Sequence, residues 1–210
     1  PRDRAVSPLG DHLERIDGTT DLETAVGDAD VAIETRAADL ETVRRRLAGI
    51  EERLDRATVL AIQTDVANTT AAAAALERPE RAVGLSTVSP GGPRSVRGSA
   101  KDDSSADVIE VVRADQTADP TVDAILGFLE GLGWRGVVVN DAPAGVADRL
   151  ELAVEVEAMR AVEADVATPA AIDTIVREGF GHAAGPLASA DRVGLDVRLA
   201  TLESLAAELG

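Results

Sequence analysis

The sequence predicts an α/β protein in which a mainly parallel sheet precedes an all-helical C-terminal region. Up to residue 140, short apolar runs alternate with stretches of helical periodicity. From Pro143 onward the only periodicity is helical. Because strands that alternate with helices are typical of parallel sheets, the order of elements indicates this architecture. We place the boundary near Asp141, between an α/β domain over residues 1–141 and a helical domain over residues 142–210.

The elements of the first domain follow from the spacing of its apolar residues. Asp21 is a typical N-cap for a short helix that ends near Gly27. A longer helix is indicated by apolar residues at helical spacing, which are Leu40, Val43, Leu47, Ile50 and Leu54. Further helices are predicted over the alanines 71–75 and from Asp119 to Gly131. The five predicted strands cover residues 30–35, 58–64, 81–88, 107–114 and 136–140.

The sequence predicts three helices in the second domain and one long loop in the first. We predict one helix from Pro143 to about Ala167, one capped by Thr168, and one from Leu195 to the end. Residues 89–105 are rich in glycine, proline and serine, which predicts an exposed loop. Trp134 is interpreted as a core residue, and His182 as a packing residue at a helix end.

The composition excludes several classes of function. Thirty-eight acidic residues against 21 basic ones give a net charge of −17, which repels nucleic acid and anionic membranes. The absence of cysteine excludes disulfides and thiolate catalysis. Acidity spread along the whole chain, with Lys101 as the only lysine, favours a protein adapted to high salt. Since no signal-peptide pattern or spanning apolar run is present, a cytoplasmic location is expected.

Several local phrases occur in an order that resembles a known family. They read VAIETRAADL, ALERPERAVGLSTVSP, DVIEVVRADQTADPTV, VVVNDAPAGVADRL and ATPAAIDTIVREGFGHAAGPLASADRVGLDV. From about Asp17 to the C-terminus they resemble successive segments of 3-hydroxyacyl-CoA dehydrogenases, with residues 91–105 as an insertion. The resemblance implies a partial Rossmann-type, NAD-binding parallel sheet followed by a helical domain that often dimerises.

The resemblance also implies an activity and its residues. In the family, NAD oxidises 3-hydroxyacyl-CoA thioesters of fatty acid metabolism, with a histidine that takes the hydroxyl proton and a glutamate that orients it. The histidine falls on Ser86 in GLSTVSP, whereas the glutamate is retained as Glu110 in VIEVV. The serine and asparagine that hold substrate oxygens fall on Asp65 in QTDV and Asp148 in VADRL.

The cofactor positions are substituted as well. Residues that contact NAD in the family fall on Ala38, Val43 and Ser89. The fingerprint G-x-G-x-x-G is absent, and the resemblance begins downstream of its place. NAD is therefore the implied cofactor, and we predict that this chain binds it weakly. A piece of a longer product and a gene that has lost its cofactor half both explain the missing fingerprint, and both stay open.

These substitutions predict weak or absent dehydrogenase activity. A serine cannot take up a proton as imidazole can, and Asp65 adds a negative charge near the substrate oxygen or the pyrophosphate. Two alternatives are a retooled acyl-CoA binder and a non-catalytic partner in a homo- or hetero-dimer. The dimer would form through the apolar faces of the helical domain, which include Val154, Met159 and Val162.

The resemblance implies that three carboxylates line one cleft, and these residues have two interpretations. Asp65, Glu110 and Asp148 could hold a hard cation or supply a general acid. Acidic drift in a salt-adapted protein explains the same residues, and we favour it, so no metal site is predicted. Glu110 itself is interpreted as a strand-end acid without a catalytic role, because its histidine partner is lost.

Overall fold

The structure is a computed structural model that describes residues 15–35, 39–63, 68–88 and 108–209. Three of the site positions inferred from the sequence lie outside the described residues, namely Ala38, Asp65 and Ser89. The predicted loop at residues 89–105, with its insertion at 91–105, also lies outside them. The roles assigned to these residues therefore stay predictions.

Five strands form one mixed sheet in the order β1-β2-β3-β4-β5. They are β1 Val31–Glu34, β2 Val59–Gln63, β3 Ala82–Thr87, β4 Val108–Arg113 and β5 Arg135–Asn140. Neighbouring strands are parallel except β3 and β4, which are antiparallel. The predicted, mainly parallel sheet is confirmed. The reversal at β4 needs no crossover helix, and the sequence between β3 and β4 accordingly has no helical apolar pattern.

Helices surround the sheet and form the C-terminal region. Those described are α1 Leu22–Val26, α2 Leu40–Glu51, α3 Thr69–Ala73, α4 Asp119–Gly131, α5 Ala147–Glu163, α6 Pro169–Thr174, α7 Pro186–Val193 and α8 Leu195–Leu209. Polar N-caps begin several of them. Asp21 accepts the N–H of Thr24 at 2.8 Å, as predicted, and Asn68 accepts that of Ala71 at 2.8 Å. None of the described helices is both long and apolar enough to cross a bilayer.

The core lies on both faces of the sheet. The interior strand β2 shows why, because Leu60 and Ile62 pack into one cluster with Leu47 of α2, whereas Val59 and Ala61 pack into another. The second cluster includes apolar residues of α4. A strand that is buried on both faces is expected to be continuously apolar, as β2 is.

Two expectations about the end of the sheet are wrong. Trp134 is not a core residue, since 41% of it is exposed beside the edge strand β5, whose Val137 and Val138 are also exposed. The helix predicted from Pro143 begins only at Ala147. Ala144 and Gly145 adopt positive φ angles of 61° and 52°, which a right-handed helix does not allow.

The segment between α6 and α8 contains a helix that the apolar spacing did not separate. A short π-helical turn, Ile175–Gly179, follows α6, and α7 then begins after Gly185. A Cβ at Gly185 would collide with the side chain of Asp173, whose carboxylate accepts N–H bonds from the first turn of α7. Only glycine allows the backbone at position 185 to approach Asp173 this closely. The contact brings the start of α7 against α6, and the two helices pack together.

A buried ion pair joins α5 to α8. Glu155 is fully buried, and its Oε1 accepts a hydrogen bond of 2.8 Å from Arg198, which also donates to Glu151 at 3.1 Å. Burial raises the pKa of Glu155, although Arg198 acts in the opposite direction. The folded chain therefore binds the Glu155 proton more tightly than the unfolded chain does.

This raised pKa predicts a pH-dependent stability. The stabilisation is fully present below the unfolded pKa of Glu155 and is lost as pH rises through the folded pKa. As pH rises above about 4, the ordinary pKa of a glutamate, we expect the free energy of unfolding of the wild-type chain to fall relative to that of Glu155→Gln, measured by urea denaturation at a series of pH values. The exposed Glu157→Gln serves as a control and is expected to show no such trend. The prediction is contradicted if the free energy of unfolding of the wild-type chain rises relative to that of Glu155→Gln as pH increases.

Candidate functional site

Ser86 and Glu110 face each other across the antiparallel strands β3 and β4. The strand register makes them direct partners. Side chains of directly opposed residues lie on the same face of a sheet, so the serine and the glutamate share one side. Ser86 is half-buried and Glu110 is only 5% exposed.

The carboxylate of Glu110 caps α5. Its Oε1 accepts the N–H of Ala147 at 2.7 Å and that of Val146 at 3.2 Å. Val146 is the N-cap residue of α5, and its own side chain forms no capping bond. The first N–H groups of a helix lack partners within the helix and carry partial positive charge, so a carboxylate is a favourable cap. Glu110 thereby connects the sheet to the helical region, a role that neither sequence interpretation included.

Gly145 makes room for this contact. Its φ of 52° lies in the left-handed region, and a Cβ there would collide with Oε2 of Glu110. Any other residue would strain the backbone and displace the carboxylate from the helix end. The close approach of this turn to Glu110 therefore requires glycine.

A cavity of about 250 Å³ lies beside this helix end. Its walls come from the end of β3, the first two turns of α5, residues 182–184 and α7. The lining residues used below are Val88, Asp148, Glu151, Val154, His182 and Ser189. Ala147, which donates its N–H to Glu110, is also part of the lining, so the Ser86–Glu110 pair and the cavity are adjacent.

The structure distributes the candidate residues unevenly. Glu110, Ser86 and Asp148 lie around the N-terminus of α5, with Asp148 exposed at the cavity. His182 lies just after the π-helical turn Ile175–Gly179, where its ring is 6.3 Å from that of Phe180, but its side chain is exposed and also lines the cavity. Ser189 and Glu151, which line the cavity, were not among the site residues predicted from the sequence. Glu151 could have been found, since it follows Asp148 by three residues on one helix face, whereas Ser189 has no local signal.

The family's cofactor position on Val43 is unsuited to NAD. Val43 is buried in the core cluster between α2 and the sheet, so its side chain cannot contact a cofactor. At the carboxyl end of β1, the buried carboxylate of Glu34 pairs with Arg46 at 3.2 Å.

The chemistry open to the site is limited. A serine opposite a helix-bound carboxylate can donate or accept hydrogen bonds, but it cannot serve as a base at neutral pH. Among the residues that the structure describes, no group of three or more His, Asp or Glu side chains could hold a metal ion. The three-carboxylate cation hypothesis depends on Asp65, which lies outside the described residues.

Removing the Glu110 cap is expected to destabilise the fold. Glu110→Ala leaves two N–H groups of the α5 terminus without their acceptor, so we expect a loss of about 1–3 kcal/mol in the free energy of unfolding. Glu110→Gln keeps an acceptor but loses the charge, and should lose about 0.5–1 kcal/mol. Urea denaturation measures both. Glu130→Ala, on the exposed side of α4, is the control, and equal losses at positions 110 and 130 would refute the capping role.

Comparisons with known families cover nearly the whole chain. Residues 4–142 match the NAD binding domain of 3-hydroxyacyl-CoA dehydrogenase, and residues 146–210 match the C-terminal domain of the same family. The probable 3-hydroxybutyryl-CoA dehydrogenases of Bacillus subtilis and Deinococcus radiodurans are both 31% identical over 94% of this chain. The chain spans only 64% and 66% of the lengths of these relatives.

Solved structures agree with the sequence matches. The (S)-3-hydroxybutyryl-CoA dehydrogenase of Ralstonia eutropha superposes with a TM-score of 0.80 at 26% identity, over 95% of this chain and 66% of that one. The 3-hydroxybutyryl-CoA dehydrogenase of Escherichia coli K12 also gives 0.80, at 27% identity, over 97% of this chain and 40% of that one. With both domain models matched and the fold shared, this chain belongs to the 3-hydroxyacyl-CoA dehydrogenase family.

Proposed function

We propose that this chain is a 3-hydroxyacyl-CoA dehydrogenase of the fatty-acid oxidation type by descent, with weak or lost dehydrogenase activity. The observation that carries the proposal is the pairing of Ser86 with Glu110. Glu110 lies where the family places its orienting carboxylate, and the position opposite, where the family places its histidine, holds a hydroxyl.

The missing imidazole accounts for most of the expected loss. A positioned acid–base group contributes about 10²- to 10⁴-fold to the rate of proton transfer, and serine does not titrate in the required range. Glu110 does not replace it, because its carboxylate is engaged with the N-terminus of α5. Asp148 adds a negative charge where the family has a neutral asparagine that holds a substrate oxygen.

Cofactor and substrate are proposed on the same basis. NAD is the cofactor that the matched domain implies, and we propose weak binding because Val43, to which the resemblance assigns a cofactor contact, is buried in the core. The names of the relatives favour a short acyl-CoA as the ligand. The small cavity beside α5 is consistent with a short chain.

Turnover and rescue test the proposal. In acetoacetyl-CoA-dependent NADH oxidation at high KCl, we expect the wild-type chain to reach less than about 1% of the rate of an intact family enzyme. Ser86→His, assayed at saturating NADH, should raise kcat/KM because it restores a titrating group opposite Glu110. Thr87→His is the matched control, since neighbouring strand residues point to opposite faces. Turnover of the wild-type chain near that of the intact enzyme would overturn the proposal, with Glu110 as the first residue to test as the base.

A second candidate function is supported by the exposed apolar surface of the helical region. The largest exposed apolar side chains there are Leu150, Val166, Ile175, Phe180, Leu195 and Leu199. Of the residues that the sequence suggested for an interface, Val154 is exposed whereas Met159 and Val162 are half-buried. Exposed apolar side chains of this kind are available to an interaction surface, so we propose a homo- or hetero-dimer through this region, with or without catalysis.

Light scattering with size exclusion tests the dimer. We expect a dimer in concentrated KCl, where repulsion between two chains of charge −17 is screened. The double variant Leu195→Glu, Leu199→Glu places two charges one turn apart on α8 and should shift the population to monomer. Leu132→Glu, equally exposed but beside the sheet, should leave it unchanged. A strict monomer that also ignores an intact relative would exclude this function.

A further inference from the structure

The cavity beside α5 has both apolar and polar lining residues. Val88, Val154, Ala183 and Ala184 contribute apolar surface. Asp148, Glu151 and Ser189 contribute oxygen atoms. With a volume of about 250 Å³ it is smaller than typical pockets for drug-sized ligands. Its shape and lining therefore suit a short aliphatic chain with one polar end.

Ser189, in the cavity lining, has a buried hydroxyl without a hydrogen-bond partner among the described residues. The residue is only 2% exposed, and its Oγ forms no hydrogen bond with any of the described residues. A buried hydroxyl without a partner is unfavourable, and it can act as donor or acceptor. Because Ser189 lines the cavity, a ligand inside can supply the missing partner. This observation is independent of the carboxylates.

The electrostatics of the cavity are negative. Asp148, Glu151 and Glu155 follow one face of α5, and Arg198 is shared between the last two of them. The charges of Asp148 and Glu151 reach into the helical core, since both add to the effect of burial in raising the pKa of Glu155. A carboxylate or phosphate at this place would be repelled, whereas a cation would be attracted.

We propose that the cavity selects a short aliphatic chain that carries a protonated amine. An ammonium group has three N–H donors and no acceptor, which matches a carboxylate of Asp148 together with the hydroxyl of Ser189. A plain alkyl chain leaves Ser189 without a partner, and a carboxylate chain meets like charge. The proposal rests on the proposed function in that it names the substrate class of the same site, an acyl chain with an amino substituent.

Three probes of equal length test the preference without any turnover. Butylammonium chloride, butanol and sodium butyrate are titrated into the full chain at constant ionic strength, and binding is followed by nuclear magnetic resonance. We expect butylammonium to bind about three- to tenfold more tightly than butanol, because a charge-assisted hydrogen bond is added at a partly exposed carboxylate. Butyrate should bind more weakly than either.

Matched variants assign the preference to its residues. Asp148→Asn keeps the shape and removes the charge, so the ratio between butylammonium and butanol should approach one. Ser189→Ala should weaken butylammonium binding severalfold, whereas Glu157→Gln, on the exposed side of α5, should change nothing. Circular dichroism confirms that each variant is folded.

The outcomes separate this proposal from the proposed function. Equal binding of butylammonium and butanol by the wild-type chain overturns the ammonium preference, as does a preference that survives Asp148→Asn. Ammonium preference together with full turnover of acetoacetyl-CoA supports the cavity proposal and overturns only the loss of activity. No turnover together with equal binding of butylammonium and butanol overturns the cavity proposal and supports the loss of activity.

Discussion

The hydrogen bonds between Glu110 and the N-terminus of α5 link the sheet to the helical region. The carboxylate comes from β4, in the sheet, and the N–H groups come from the first residues of the helical region. The turn that brings them together needs Gly145 at positive φ, with no Cβ. Once α5 is fixed in this way, Asp148 and Glu151 are directed to the cavity and Glu155 is directed to Arg198. The site and the helical core thus depend on the same few contacts.

This arrangement gives a physical reason why the glutamate and the histidine of a dehydrogenase site can be separated. The carboxylate at position 110 satisfies the backbone of a 17-residue helix, whereas the side chain at position 86 has no such structural role among the hydrogen bonds of the described residues. Under the proposed function, a change at position 86 would affect activity and leave the helix cap in place. Losing the carboxylate leaves helix donors without a partner. A chain with Ser86 and Glu110 can therefore remain well folded while its chemistry changes.

The acidity of the chain has a local consequence in the helical region. Along the sequence, acidic residues are spread without any block, which favours an explanation from salt adaptation. On α5, Asp148, Glu151 and Glu155 fall on one face, and the last two of them accept hydrogen bonds from the guanidinium of Arg198. Burial is the main cause of the raised pKa of Glu155, and the charges of Glu151 and Asp148 add to it. Salt adaptation itself remains a prediction.

The sequence by itself determined the family and the order of the elements. These features depend on local periodicity and on phrases of a few residues, which is why β2, α2 and α4 lie close to their predicted bounds. The sequence also suggested Ser86, Glu110 and Asp148 as candidate site residues, because each lies within a phrase that resembles the family.

Only the tertiary structure decided what these residues contact. Capping of α5 by Glu110 joins positions 36 and 37 residues apart, and the unpartnered hydroxyl of Ser189 depends on packing around α7. Trp134 could not be placed from its apolar character, because exposure at an edge strand depends on which neighbours are present. Long-range contacts of this kind leave no periodic trace in the sequence, since they are set by how the elements pack together.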